Sequence, residues 1–159
     1  MINPNYTPEK LIFTEADIKD MCLHDCQIHA IATMDDGLAL DIDYMFEWFE
    51  PKEGELCFSF QIAPCTLFFK NVSDLGIDFD GFPVPDALII QDFYEEPDKT
   101  KFNPAARMFY VNCLGGLFSI FCHGFELIVR QKPVHHSLQV LTPEQRGGIS
   151  FSRKPYITQ

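Results

Sequence analysis

The feature that most constrains this chain is the two-residue alternation of hydrophobic side chains over residues 38–49. The positions on one side of the alternation are all large and apolar: Leu38, Leu40, Ile42, Tyr44, Phe46 and Trp48. The positions between them are mixed, and include Asp41, Asp43 and Glu47. Because successive side chains of a strand point to opposite faces, this pattern predicts a long strand with one buried and one solvent-exposed face.

Shorter stretches with the same period, separated by turn sequences, occupy much of the chain after Gln27. Asp35-Asp36-Gly37 and Leu114-Gly115-Gly116 are typical of hairpin turns. Ala63-Pro64 is expected to interrupt a strand, because proline cannot donate a ladder hydrogen bond. Together they predict about nine or ten strands in a single β-rich domain over residues 1–159. We therefore expect a mainly β fold, in which a curved antiparallel sheet forms either a partly closed barrel or a sandwich.

Less regular structure is expected at three places. Thr14 has the properties of an N-cap, and predicts a short N-terminal helix ending near Cys22 or Leu23. Thr142-Pro143-Glu144-Gln145 has a capping-box pattern that Gly147 closes, and predicts one helical turn. Residues 94–105 are expected to form one long loop. Two further strands are expected, over residues 87–92 and 134–141.

Charge is distributed unevenly along the chain. Residues 1–100 carry 21 acidic and 5 basic side chains, a net charge of −16, whereas residues 101–159 carry 2 acidic and 7 basic, a net charge of +5. An acidic surface repels nucleic acids and anionic membranes, so neither is expected as a partner. It favours a basic protein partner. The alternative interpretation is that the acidic and basic parts neutralise each other within the fold.

The cysteines and the N-terminus bear on the compartment. We expect reduced thiols buried in the core, because four of the six cysteines lie in apolar, strand-like stretches: Cys57, Cys65, Cys113 and Cys122. The other two, Cys22 and Cys26, are expected to pack inward as well. Residues 1–10 lack the basic-then-apolar order of a secretion signal. No segment reaches the roughly 18 apolar residues that would span a bilayer. These features predict a cytoplasmic protein.

Two Asp-x-Asp pairs, Asp41 with Asp43 and Asp78 with Asp80, are candidates for a ligand or metal site. Within a strand, residues two apart share a face and lie about 6.5–7 Å apart. Two such strands side by side would gather four carboxylates, which could hold Mg²⁺ or Ca²⁺ or perform acid–base chemistry. The simpler interpretation places both pairs on solvent-exposed strand faces.

His24 and Asp25 form a second candidate, within a stretch that also contains Cys22, Cys26 and His29. The spacing of these side chains does not match the paired ligands of structural zinc sites. The simpler interpretation is that His24 and Asp25 satisfy backbone groups where the strand begins. The sequence contains neither a Gly-x-Ser-x-Gly elbow nor a phosphate-binding glycine loop, so no cofactor is expected and an enzymatic activity is left undecided.

Three stretches resemble a family of small uncharacterised bacterial proteins. They are Leu23-His24-Asp25-Cys26-Gln27-Ile28, Leu40-Asp41-Ile42-Asp43-Tyr44, and Ala63-Pro64-Cys65-Thr66-Leu67 with its continuation to Val72. The shared features are a His-Asp pair before the first long strand, an Asp-x-Asp-Tyr strand and a Pro-x-Thr-Leu strand, within about residues 20–80. Some members of the family look like the acidic, single-domain immunity proteins of bacterial toxin systems. The resemblance carries over no assigned activity, cofactor or catalytic residue.

The leading hypothesis is therefore a non-enzymatic, immunity-like binding protein with a basic protein partner. Exposed aromatic side chains, such as Phe49 or Phe93, would contribute to the docking face. The alternative is a metal-dependent enzyme or a ligand-binding β-barrel that uses the four clustered aspartates, with His24 as a further ligand.

Overall fold

A computed structural model describes residues 6–79, 88–96 and 105–157. These residues form ten strands: β1 (Ile12–Thr14), β2 (Gln27–Met34), β3 (Gly37–Phe49), β4 (Ser59–Lys70), β5 (Asp74–Phe79), β6 (Leu88–Glu96), β7 (Arg107–Cys113), β8 (Gly116–Cys122), β9 (Phe125–Val129) and β10 (Val134–His136). A 3₁₀ turn spans Glu15–Asp17, and the helix α1 spans Pro143–Arg146. The prediction of a mainly β fold is confirmed.

The strands form one antiparallel sheet that does not close into a barrel. Its order is β1-β9-β4-β3-β2-β6-β7-β8-β5, with β10 beside β4. One half of the sheet consists of β1, β9, β4, β3 and β2 with β10, and the other of β6, β7, β8 and β5. The two halves join where β2 pairs with β6, over Gln27↔Ile89 and Ile28↔Leu88. The halves pack against each other through an aromatic cluster with ring centroids 5.1–6.2 Å apart: Phe69, Phe93, Phe109 and Phe125. The hydrophobic core lies between the halves, and Phe93, which was predicted to be exposed, is half-buried against that core.

The predicted N-terminal helix to Cys22 or Leu23 is not formed. Thr14 caps the turn as expected, and its backbone N–H donates to Asp17 Oδ2 at 2.8 Å. Beyond the turn, the backbone N–H of Cys22 donates to the Tyr44 hydroxyl at 3.3 Å instead of to a carbonyl one helical turn back. A contact with β3 therefore replaces the hydrogen bond that would extend the helix.

Other local predictions have mixed outcomes. The capped turn at Thr142 is confirmed, with Gly147 in the left-handed conformation at φ 71°. Both hairpin turns are confirmed by the pairs Met34↔Gly37 and Cys113↔Gly116. Of the strand expected over residues 134–141, only β10 forms. Part of the predicted loop is strand, because β6 continues to Glu96, and the rest of the loop up to residue 104 lies outside the described residues.

Pro64 does not interrupt β4, contrary to the prediction. On one side it pairs with Asp43 of β3. On its other side the neighbouring chain changes from β9 to β10, and the carbonyl of Pro64 accepts from the backbone N–H of Arg130 at 3.1 Å. The missing proline N–H therefore coincides with a break between two partner strands, where no ladder hydrogen bond is lost.

The six cysteines are free thiols. Cys26, Cys65, Cys113 and Cys122 are buried, and burial raises the pKa of Cys26 to about 12 and those of Cys113 and Cys122 to about 11. Cys22 and Cys57 are exposed, so the prediction of a core position is wrong for these two. Within the described ranges, no helix has the length and apolar character that crossing a membrane requires.

The predicted solvent-exposed face of β3 is covered. β3 is buried on both faces from Leu38 to Met45, and β4 from Phe60 to Phe69. The cover is residues 137–157, which we call the C-terminal strap. Its Phe151 packs on Phe68 and neighbouring side chains, and its Ser152 carbonyl accepts a hydrogen bond from the Thr66 hydroxyl at 2.8 Å.

The far end of β3 departs from the alternation. A β-bulge at Phe46 shifts the register, so that Tyr44 pairs with Ala63 but Trp48 pairs with Phe60. Paired residues share a face, and residues three apart in β4 lie on opposite faces, so Trp48 does not share the face of Tyr44. The prediction that Leu38 through Trp48 share one face fails at Trp48, whereas the Phe46 ring still packs 4.8 Å from that of Tyr44.

Candidate functional site

Asp41 and Asp43 lie on the outer face of β3, beneath the C-terminal strap. Both are fully buried, so the expectation that this pair lies on a solvent-exposed face is wrong. A buried carboxylate needs a charged partner and hydrogen bonds, because removing it from water is costly. The residues that supply them come from the basic end of the chain.

Asp41 accepts hydrogen bonds from two arginines and one backbone amide. Arg146 donates from Nη2 to Oδ1 at 2.8 Å and from Nη1 to Oδ2 at 2.9 Å. Ser150 donates its backbone N–H to Oδ2 at 3.0 Å, and Arg130 donates from Nη2 to Oδ1. This is the two-pronged geometry in which guanidinium binds carboxylate most strongly.

Asp43 completes the cluster. His29 Nε2 and the backbone N–H of Leu141 each lie 2.9 Å from its Oδ2, and Arg146 Nε donates to its Oδ1 at 3.2 Å. Burial by itself would raise the pKa of Asp43, but the hydrogen bonds from His29 and Leu141 and the charge of Arg146 outweigh it and lower that pKa. Asp43 therefore stays ionised.

Asp41, Asp43, Arg130 and Arg146 form what we call the buried charge cluster. Two carboxylates face two guanidinium groups, so their formal charges cancel. Each aspartate oxygen has at least one donor. The cluster attaches the C-terminal strap to β3 and leaves no carboxylate oxygen free, so its evident role is structural.

We predict that Arg146→Met destabilises the protein by about 3–5 kcal/mol, because two buried carboxylates lose their shared cation. Arg153→Met is the matched control. Arg153 is partly exposed, pairs with Asp36 at 2.6 Å and lies 3.9 Å from the Phe68 ring, so its loss should cost no more than about 1–2 kcal/mol. Urea unfolding measures both variants. Equal costs would contradict the role given to Arg146.

The stability contributed by Asp43 should be lost in acid. Its pKa is lowered in the folded protein, whereas an unfolded aspartate titrates near about 3.9. The contribution is therefore fully present above that value, and is lost as the pH falls towards the folded pKa, since the unfolded chain binds the proton more readily. We predict that urea stability falls less between about pH 5 and about pH 3 in Asp43→Asn than in the unmodified protein. Equal slopes would contradict this account.

His24 and Asp25 lie outside the buried charge cluster, where β2 begins. Asp25 has a left-handed backbone at φ 65°, and its N–H donates to the Ile90 carbonyl at 2.7 Å. Its carboxylate accepts from Gln139 at 3.1 Å and lies 3.2 Å from His24 Nδ1. These contacts join β2 to β6 and to the C-terminal strap. The two carboxylate contacts are with other side chains, so the interpretation that His24 and Asp25 satisfy backbone groups at the helix end and the strand entry stays a prediction.

The two Asp-x-Asp pairs do not come together. Asp41 and Asp43 lie on β3, whereas Asp78 is exposed on β5, at one end of the sheet. Asp80 lies outside the described residues. Among the residues that are described, no group of three or more histidine, cysteine or acidic side chains could hold a metal ion. The clustered-aspartate site therefore has no geometric basis in the described part of the chain.

An open groove lies at the other end of β3, beside its bulge. It consists of two depressions, of about 570 and 350 Å³, which share Asp20, Tyr44, Phe46 and Glu47. The walls come from residues 6–24 and from the end of β3. Phe46 is the centre of its aromatic lining, with ring centroids 4.8 Å from Tyr44, 6.3 Å from Phe13 and 6.1 Å from Tyr6.

The rim of this groove is negatively charged. Four carboxylates and one ammonium group line it: Glu9, Asp17, Asp20, Glu47 and Lys10. Lys10 pairs with Asp17, and among the described residues no cation lies within ion-pair distance of the other three carboxylates. Burial, together with the charges of Glu47 and Glu9, raises the pKa of Tyr6. We call this feature the acidic groove.

Trp48 extends the aromatic surface beyond the groove. It is 40% exposed, lines the smaller depression and packs edge-on against Phe58 and Phe60, with centroids 6.3 and 5.2 Å away. Phe49, predicted as an exposed docking residue, is half-buried beside the His135 ring.

Sequence reasoning missed the acidic groove as a site. Its signal was present in the large aromatic residues around Glu47, but the alternation assigned Tyr44, Phe46 and Trp48 to the core. The other side chains that line the groove come from residues 6–24, which the expected helix would have placed differently.

No family model, curated protein or solved structure matches the chain.

Proposed function

We propose that this protein acts by binding rather than by catalysis, and that the acidic groove docks a basic segment of a partner protein. The observation that carries the proposal is a set of three carboxylates, Glu9, Asp20 and Glu47, that surround an aromatic floor and have no cationic partner in the described part of the chain. Carboxylates attract cationic side chains, and aromatic rings bind the same cations over their faces.

The internal ion pairs support this assignment. The arginines of the basic end are used within the fold: Arg107 binds Glu15 and Glu95, Arg130 and Arg146 bind the buried aspartates, and Arg153 binds Asp36. The interpretation in which the acidic and basic parts of the chain neutralise each other within the fold therefore accounts for the carboxylates that these arginines bind. It does not account for the groove, whose negative charge is available to a partner.

The composition of the groove also suits protein recognition. Aromatic residues are enriched in protein interfaces, and Trp48 is both exposed and held by neighbouring rings. A concave surface of one charge sign speeds association with an oppositely charged partner, in a manner that salt weakens. The resemblance of residues 20–80 to a bacterial protein family, some members of which look like immunity proteins, supports a binding role.

A short lysine-rich peptide tests the proposal, and Trp48 reports its binding because it is the single tryptophan. We expect titration at about 0.02 M salt to change the tryptophan emission, and about 0.3 M salt to weaken binding. Asp20→Asn combined with Glu47→Gln should weaken binding several-fold, because each exposed ion pair contributes about 0.2–1 kcal/mol.

Asp74→Asn combined with Asp78→Asn is the matched control. This variant also removes two negative charges, but from β5, where both carboxylates are exposed. We expect this variant to bind within about twofold of the unmodified protein, because its carboxylates lie outside the groove. Equal weakening by both double variants would show attraction to net charge alone, and the absence of binding at low salt would overturn the proposal.

A further inference from the structure

The hairpin of β3 and β4 extends beyond the strand that flanks it. Pairing between β2 and β3 runs from Met34↔Gly37 to Ile28↔Ile42 and then stops, because β2 begins at Gln27 and its first two residues pair with β6 on the other side. β3 continues to Phe49 and pairs there with β4. On the far side of β4, β10 covers Phe60–Ile62.

Among the residues that the structure describes, the edge of β3 that faces away from β4 consequently has no neighbouring strand over residues 46–49. Just before this stretch the edge is occupied, because the backbone of Met45 hydrogen-bonds the Cys26 thiol and the Tyr44 hydroxyl binds the N–H of Cys22. Among the described strands, none pairs with residues 46–49 on this side. Unpaired backbone donors and acceptors at a sheet edge are a template for another strand.

The open edge lies in the acidic groove. The smaller depression is bounded on one side by residues 44–48 and on the other by Asp20, Cys22 and His24. A chain laid along the edge would therefore meet the carboxylates of Asp20 and Glu47. Because Glu47 and Trp48 are adjacent in a strand, they present different faces to such a chain.

The charge at this edge selects among occupants. A second copy of the protein would bring its own Glu47 and Asp20 into a negative groove, and like charges across strands are destabilising. A cationic strand would instead gain cross-strand ion pairs on one face and contact with Trp48 on the other.

We infer that the partner binds by adding an extended, cationic strand to the open edge of β3 at residues 46–49. This inference rests on the proposed function and specifies the partner: a segment with lysine or arginine at alternate positions and no proline at the contact. Backbone hydrogen bonds supply affinity in this mode of recognition, and alternate side chains supply specificity.

Backbone methylation of the probe tests strand addition without changing its charge. A short peptide of alternating lysine and valine is compared with two isomers, one N-methylated at every lysine and one at every valine. Successive N–H groups of a strand point to opposite edges, so only one isomer loses the groups that face β3. We expect that isomer to bind about tenfold more weakly or worse, and the other to stay within about threefold of the parent.

Amide hydrogen exchange locates the contact on the protein. The unmodified peptide should slow exchange at residues 47–49 and leave β5, the strand at one end of the sheet, unchanged. Equal affinity of both isomers would overturn strand addition and leave charge-driven docking in place, as would equal weakening of both. Failure of the unmodified peptide to bind would overturn the proposed function itself. A dimer that the peptide cannot dissociate would assign the edge to a second copy and overturn the inference.

Discussion

The structure depends on the buried contact between Arg146 and the carboxylates of Asp41 and Asp43. This contact attaches the C-terminal strap to the outer face of β3, and so converts a strand with one apolar face into a strand buried on both. Without the Arg146 guanidinium, Asp43 would lose its arginine and Asp41 would keep only Arg130, in a site where removal of charge from water is costly. The acidic first part of the chain and its basic last part are complementary at this interface, and again where Arg107 binds Glu95 and Arg153 binds Asp36.

The two ends of β3 differ in how their acidic side chains are satisfied. Near the middle of the strand, Asp41 and Asp43 are buried, and each of their carboxylate oxygens accepts a hydrogen bond. Past the bulge at Phe46, Glu47 is exposed and has no cationic partner among the described residues. Acidic side chains of one strand thus have a structural role at two positions and are available for binding at another. Solvent exposure and the supply of arginines decide which.

Local signals in the sequence predicted local structure well. The capping box at Thr142 and the glycine-containing hairpin turns lie where their residue types require them, because each depends only on its immediate neighbours. The alternation in residues 38–44 likewise predicted β3. It could not predict that the outer face is covered, since the covering arginine lies 105 residues away from Asp41.

The candidate site was less predictable than the fold, for the same reason. The acidic groove depends on a bulge at Phe46, which no local signal marks, and on the path of residues 18–24, which a hydrogen bond from Cys22 to Tyr44 directs away from a helix. The four aspartates singled out from the sequence were a real regularity. β3, which carries Asp41 and Asp43, is separated in the sheet from β5, which carries Asp78, and the pair on β3 is already bound by arginines.

The most direct test compares two acidic side chains of one strand. Asp41→Asn and Glu47→Gln each remove one carboxylate charge from β3, and each variant is assayed for urea stability and for affinity towards the lysine-rich peptide. The account predicts that Asp41→Asn lowers stability and leaves affinity unchanged, whereas Glu47→Gln lowers affinity and leaves stability unchanged. The opposite assignment, or a loss of both properties in each variant, would contradict it.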